Sequence, residues 1–154
     1  MKITEILKPE FVISDLKSKN KEEALEELSS FLEQKGAIKN KEKLKKALMD
    51  REKLGSTGIG ENVAIPHAKC EDISQIITLF GRSTKGIHFE SLDQKPVHFI
   101  CLLLAPTNST GHHLKALARI ARLMKSKVLR EEILGAQDEK KIYSLLLDED
   151  SKFI

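Results

Sequence analysis

The chain has 154 residues, 40% of them hydrophobic and 32% charged, the composition of a globular protein long enough to bury a sizeable core without disulfide or metal staples. Its 26 basic and 23 acidic residues leave a formal charge of +3, too balanced to indicate a nucleic-acid partner or a membrane surface. The longest apolar run, 99–105, is too short to span a bilayer, the opening MKITEILKPEF lacks the apolar core of a secretory signal, and Cys70 and Cys101 have no metal-ligand spacing, so a reducing cytoplasm is the expected compartment.

In chain order, FVISDL at 11–16 reads as a weak edge strand. Residues 20–36 predict a helix: Asn20 can cap it, Glu23 completes a capping-box pair, and Ala24, Leu25, Leu28, Phe31 and Leu32 form one apolar stripe ending at Gly36. Residues 40–55 repeat the grammar, with Asn40 at the start and Gly55 at the end. Strands are expected at 63–65, 75–80 and 96–104, the last a continuous apolar run suited to a central position covered on both faces. Ser109-Thr110-Gly111 introduces a long helix at 112–126, and shorter helices follow at 128–135 and 138–147. With no linker, repeat or low-complexity segment, the pattern argues for one α/β domain over 1–154, its core at roughly 3–148, built on a mixed sheet.

One stretch concentrates unusual chemistry. GSTGIGENVAIPH, 55–67, packs three glycines and two hydroxyls, Ser56 and Thr57, ahead of a short apolar strand that Pro66 stops. His67 follows directly, in what reads as a loop held by a buried strand, and active groups concentrate on such loops. Of the five histidines, His98 reads as a paired imbedded strand residue and His88 as a turn or strand edge. His112 and His113 separate by helical period: His113 continues through Leu117, Ile120 and Met124 along the apolar face, whereas His112 continues through Ala116 and Arg119 in a more exposed direction. His113 is therefore expected to point inward near a helix N-terminus, as a capping or core residue or toward a bound anion.

Arg51 lies on the apolar stripe of the second helix, one turn before the glycine loop. It either snorkels to water or offers its fork of donors to a phosphate. Arg51, Ser56, Thr57 and the loop amides together form a cradle for a doubly charged oxyanion. The dinucleotide fingerprint, the P-loop and the G-x-S-x-G elbow are absent. An imidazole among anion donors suits covalent phosphoryl acceptance, because a neutral imidazole is available near pH 7 and the donors hold the transferring charge.

REKLGSTGIGENVAIPHAK, 51–69, resembles the signature of the fructose/mannitol-class enzyme IIA of the bacterial phosphotransferase system. GIHFESLDQKPVHFICLLLAP, 86–106, and HHLKALARIARLM, 112–124, look like its following segments. The resemblance implies a five-stranded mixed sheet between helices, with His67 carrying phosphate, His113 as the second active-site histidine and Arg51 as the arginine before the loop. It implies a cytoplasmic phosphocarrier needing no metal or organic cofactor. The donor would be the phosphohistidine of a small HPr-type carrier. The output would be either a regulatory target, as in the nitrogen-related branch, which is favoured, or a sugar-specific IIB domain. Ala68 stands where members often have glycine. Two other readings are a metal-dependent hydrolase using His67, Cys70 and His113, and an interaction module that takes no phosphate.

Overall fold

The computed structural model describes residues 1–109 and 111–153; Thr110, expected just before a helix, and Ile154 lie outside the described residues. Asn20 and Asn40 cap α1 (Lys21–Gln34) and α2 (Lys41–Lys53), their side chains accepting the Glu23 and Lys43 amides at 2.9 and 3.1 Å. The reciprocal half of the expected capping box lands one residue early, with the Glu23 carboxylate taking the Lys19 amide at 2.9 Å. The start of α1 is also tied across the molecule: Lys21 N–H donates to the His88 carbonyl and His88 N–H to that of Lys19. His88 is thus a bridge at a strand's margin. Gly36 ends α1 at φ +74°, the left-handed position that follows a helix.

The sheet is mixed and six-stranded: β1 (Val12–Ile13), β2 (Gly58–Gly60), β3 (Val63–Ala64), β4 (His67–Cys70), β5 (Ile77–Ile87) and β6 (Val97–Pro106). They run β1-β5-β6-β3-β2, with β4 also on β6, so six strands fill the five expected ranks. The extra strand comes from one rank split in two. Val63 lies opposite Phe99 and Ala64 opposite Ile100, and after a gap His67 lies opposite Leu103 with no slip in register. The gap is Ile65-Pro66. Proline has no N–H to give the ladder; its carbonyl accepts from Leu103, while the Ile65 amide leaves the rank for the Thr57 carbonyl at 3.0 Å.

β5 and β6 form the antiparallel centre, and Leu102, Leu103, Leu104 and Ala105 are wholly buried. The continuous apolar run of β6 reflects cover on both faces. α1 and α2 pack together over β5 and β4, while α3 (Gly111–Met124), α4 (Lys127–Leu134) and α5 (Glu139–Asp150) pack together over β6, β5 and β1. Three expectations are revised. Ser126 does not end α3 but caps α4, accepting the Leu129 amide at 3.2 Å. The strand expected at 75–80 runs on to Ile87, because Arg82 is buried without a penalty: its guanidinium donates to the carbonyls of Ser14, Ile133 and Ala136. The glycine loop is half strand, since Gly58–Gly60 pairs with β3 through a two-residue turn in which Glu61 and Asn62 both take positive φ.

Candidate functional site

His67 opens β4 rather than sitting in a loop. Residues opposite one another in a ladder share a face, so His67 and Lys69 look toward α3 with Leu103 and Ala105, while Ala68 and Cys70 look toward α2. The imidazole is half-buried and its Nδ1 stands 2.9 Å from the Ile65 carbonyl. A carbonyl only accepts, so Nδ1 carries the proton and the Nε2 lone pair is left bare. That carbonyl is available because Ile65 lies in the split between β3 and β4.

His113 arrives in the first turn of α3 and meets His67 edge to face, ring centroids 5.6 Å apart at 67°. Its Nδ1 is buried and has no hydrogen-bond partner among the described residues, a state that a ligand at the site would relieve. Burial, reinforced by the neighbouring His67 ring and by Lys69, holds the His113 pKa below the ordinary imidazole value. His113 is thus neutral at pH 7 and presents a hydrogen bond rather than a charge. His112 is exposed, as periodicity indicates, but the direction it leads into is not: Ala116 is wholly buried and Arg119 pairs with Asp150 at 2.5 Å. Helical phase distinguishes the two histidines only at the first turn, before the C-terminal segment covers α3.

The other expected site residues form a second group. Arg51, in the last turn of α2, donates to the Gly55 carbonyl at 3.0 Å, and Ser56 Oγ accepts the Gly58 amide at 3.0 Å, leaving its own O–H unspent. Thr57 departs from the cradle. It is 3% exposed, and both its N–H and its hydroxyl donate to the buried carboxylate of Glu52, so it has no proton left for an anion. Among the described residues no hydrogen bond joins Arg51 or Ser56 to either imidazole. The link between the groups is backbone: the Thr57 carbonyl takes Ile65 N–H, and Ile65 in turn takes His67 Nδ1.

Two contributors escaped sequence reading. Lys69 shares the His67 face of β4, a fact that alternation would reveal once 67–70 is known to be a strand. Glu52 carries no sequence signal beyond being an acid where the stripe of α2 turns inward. The cysteines stay apart from the imidazoles. Cys70 lies on the opposite face of β4, where burial, with Asp72 nearby, pushes its thiol up to about 11, and burial alone pushes Cys101 up to about 12. Among the described residues no group of three or more His, Cys, Asp or Glu could hold a metal ion.

The fold is a single α/β domain on a mixed sheet, with the imidazoles of His67 on β4 and His113 on α3 in edge-to-face contact. The chain belongs to the family described as "Phosphoenolpyruvate-dependent sugar phosphotransferase system, EIIA 2", which matches residues 5–149. It is 40% identical over 146 residues to a nitrogen regulatory protein of Bradyrhizobium diazoefficiens, covering 95% of each chain. It is 35% identical over 150 residues to the fructose-specific EIIABC component of Bacillus subtilis, covering 97% of this chain but only 24% of that longer one. The fold is similar to the crystal structure of the nitrogen regulatory protein IIA-Ntr from Neisseria meningitidis, at TM-score 0.85 and 33% identity over 94% of this chain and 98% of that one. No helix of the described residues is long and apolar enough to cross a membrane.

Proposed function

We propose that His67 is the covalent phosphoryl acceptor of this phosphocarrier, reacting through Nε2. The observation that carries this is the bond from His67 Nδ1 to the Ile65 carbonyl, which leaves the Nε2 lone pair free beside the unpartnered His113. In the step, the phosphorus–nitrogen bond of a donor phosphohistidine breaks as a phosphorus–nitrogen bond forms at Nε2. The donor imidazole leaves with the electron pair, and the phosphorylated His67 ring, now carrying Nδ1–H beside a dianion, keeps its bond to Ile65. His113 donates a hydrogen bond to a phosphoryl oxygen, and Arg51, Ser56 and Lys69 balance the spread charge.

The donor in this reading is an HPr-type carrier in the cytoplasm. Leu54 at the end of α2, Ile59 on β2 and Leu114 on α3 all stand exposed, apolar surface that suits a protein partner more than a small substrate. The output is regulation by phosphorylation state, as the likeness to nitrogen regulatory proteins supports. The fructose-specific relative supports a second reading, in which the phosphate passes to a sugar-specific IIB domain. The test is labelling by a phosphorylated HPr-type carrier, with mapping by mass spectrometry at neutral pH. The label is expected to be acid-labile, base-stable, confined to His67 and absent from His67→Ala. A label on His113, or one stable to acid, refutes the assignment.

A further inference from the structure

Glu52 is an uncommon residue: a carboxylate whose side chain is 3% exposed, at the end of α2, in the interior of a protein with ample surface. Its position has a definite use. One oxygen accepts the Thr57 amide at 3.0 Å and Lys21 Nζ at 3.1 Å, and the other accepts the Thr57 hydroxyl. Lys21, itself mostly buried, lies 5.2 Å over the Phe89 ring and pairs with the carboxylate, whose two oxygens accept every bond made here. Both donors of Thr57 are therefore spent on one carboxylate, which anchors the residue at its amide and its side chain. The Thr57 carbonyl takes Ile65 N–H at 3.0 Å, and the Ile65 carbonyl takes His67 Nδ1 at 2.9 Å. Ile65 stands between β3 and β4, so its peptide depends on these two bonds for its direction more than a residue inside a strand does.

We propose that Glu52 is a positioning residue for the phosphoryl-accepting imidazole: through Thr57 and the Ile65 peptide it holds the carbonyl that keeps the His67 proton on Nδ1 and the lone pair on Nε2. The inference rests on the assignment of His67 as acceptor, and it changes the part played by Thr57 from contact with the phosphate to alignment of its acceptor. Partners that orient a reactive ring nitrogen from one shell away matter by roughly 10-fold to 100-fold in activity, and which nitrogen is protonated is set by the bond the other one makes.

The experiment uses the full, unphosphorylated chain labelled with nitrogen-15. The tautomer of His67 is read by long-range proton–nitrogen correlation in wild type, Thr57→Val, Thr57→Ser and Glu52→Gln. Transfer from a phosphorylated HPr-type carrier is followed on the same samples. Wild type and Thr57→Ser are expected to show one His67 tautomer, protonated at Nδ1. Thr57→Val and Glu52→Gln are expected to show a mixture, with kcat lowered roughly 10-fold and KM for the carrier unchanged. If both variants keep the wild-type tautomer, the inference is overturned, whether or not the rate falls, because a merely structural loss leaves the tautomer alone. Should Glu52→Gln fail to fold, the Thr57→Val and Thr57→Ser pair decides by the same criterion. A wild-type chain that takes no label on His67 overturns the acceptor assignment instead, and the tautomer comparison still reads the alignment on its own.

Discussion

Adding one methyl group at position 58 tests how tightly the strand before the site is held. A Cβ on Gly58 would stand 2.3 Å from Ser91 Oγ and 2.9 Å from both Ser91 Cα and Cβ, well inside the 3.5–4.0 Å at which carbon atoms rest. The first contact belongs to the buried hydroxyl alone. The others involve backbone that is anchored on both sides: Leu92 N–H donates to the Gly58 carbonyl and Gln94 N–H to that of Ser91, both at 3.0 Å. Overpacking of this kind costs about 1–3 kcal/mol, against which the restricted unfolded chain of the alanine variant returns about 0.4–1 kcal/mol. Gly58→Ala is therefore expected to lose about 1–2 kcal/mol, or ~2–8 °C in Tm for a chain of this size. The chain has no tryptophan, so urea and thermal unfolding are best followed by far-ultraviolet circular dichroism. Ser91 Oγ is buried and has no partner among the described residues, so adding Ser91→Ala removes the nearest clash without breaking a bond and should recover part of the loss. A Gly58→Ala protein as stable as wild type, or a double variant no more stable than the single one, refutes the argument from close approach.

Arg51→Leu should leave α2 folded, since leucine is a good helix former, and should slow phosphoryl transfer by about 2–4 kcal/mol, as for other preorganised donors; an unchanged single-turnover rate would show that the guanidinium only braces the Gly55 carbonyl. Because His113 is held below its ordinary pKa, the folded chain resists protonation more than the unfolded one. Its contribution to stability is thus present above about pH 6.5 and is lost as pH falls below that value. Urea midpoints at about pH 7.5 and about pH 5.5 should show a smaller acid loss in His113→Gln than in wild type, and equal losses would exclude that ring as the source. Asp150→Ala takes the buried carboxylate from Arg119 Nε and from the Ile3 amide, leaving the guanidinium only its bonds to the Asp150 and Phe153 carbonyls, and should lower stability by about 3 kcal/mol. Calorimetry that finds less than about 1 kcal/mol, the value of an exposed pair, would place the clamp in solvent.

The helices were legible because their information is local. Asn20, Asn40 and Asp138 each accept the amide three residues on in the structure, and the apolar stripes between caps need no partner to be seen. The central strand was legible for the same reason, an unbroken apolar run. What escaped depends on pairing. Gly58–Gly60 is a strand only because Val63 and Ala64 lie beside it, and its composition reads as loop. HAKC at 67–70 has no strand character of its own and takes it from Leu103–Pro106. The strand expected at 75–80 falls short of Ile87 because a sequence cannot display the three carbonyls from distant segments that bury Arg82. The site divided along the same line. His67 and His113 were each found from local pattern, a proline stop and a helical phase, whereas Glu52 and the inward turn of Thr57 emerge only when α1, α2 and the hairpin are assembled.

Asp150 has a further consequence. One carboxylate near the end of the last helix accepts the amide of Ile3, at 2.9 Å, while gripping α3 through Arg119. The beginning and end of the described chain are thereby pinned to a single point. A polypeptide entering and leaving the domain there does so through one doorway, so the unit behaves as a bead on a string: neighbours can be attached at either end, or the ends joined and the chain opened at a surface turn elsewhere, without pulling the sheet apart. The doorway also abuts α3, whose first turn carries His113.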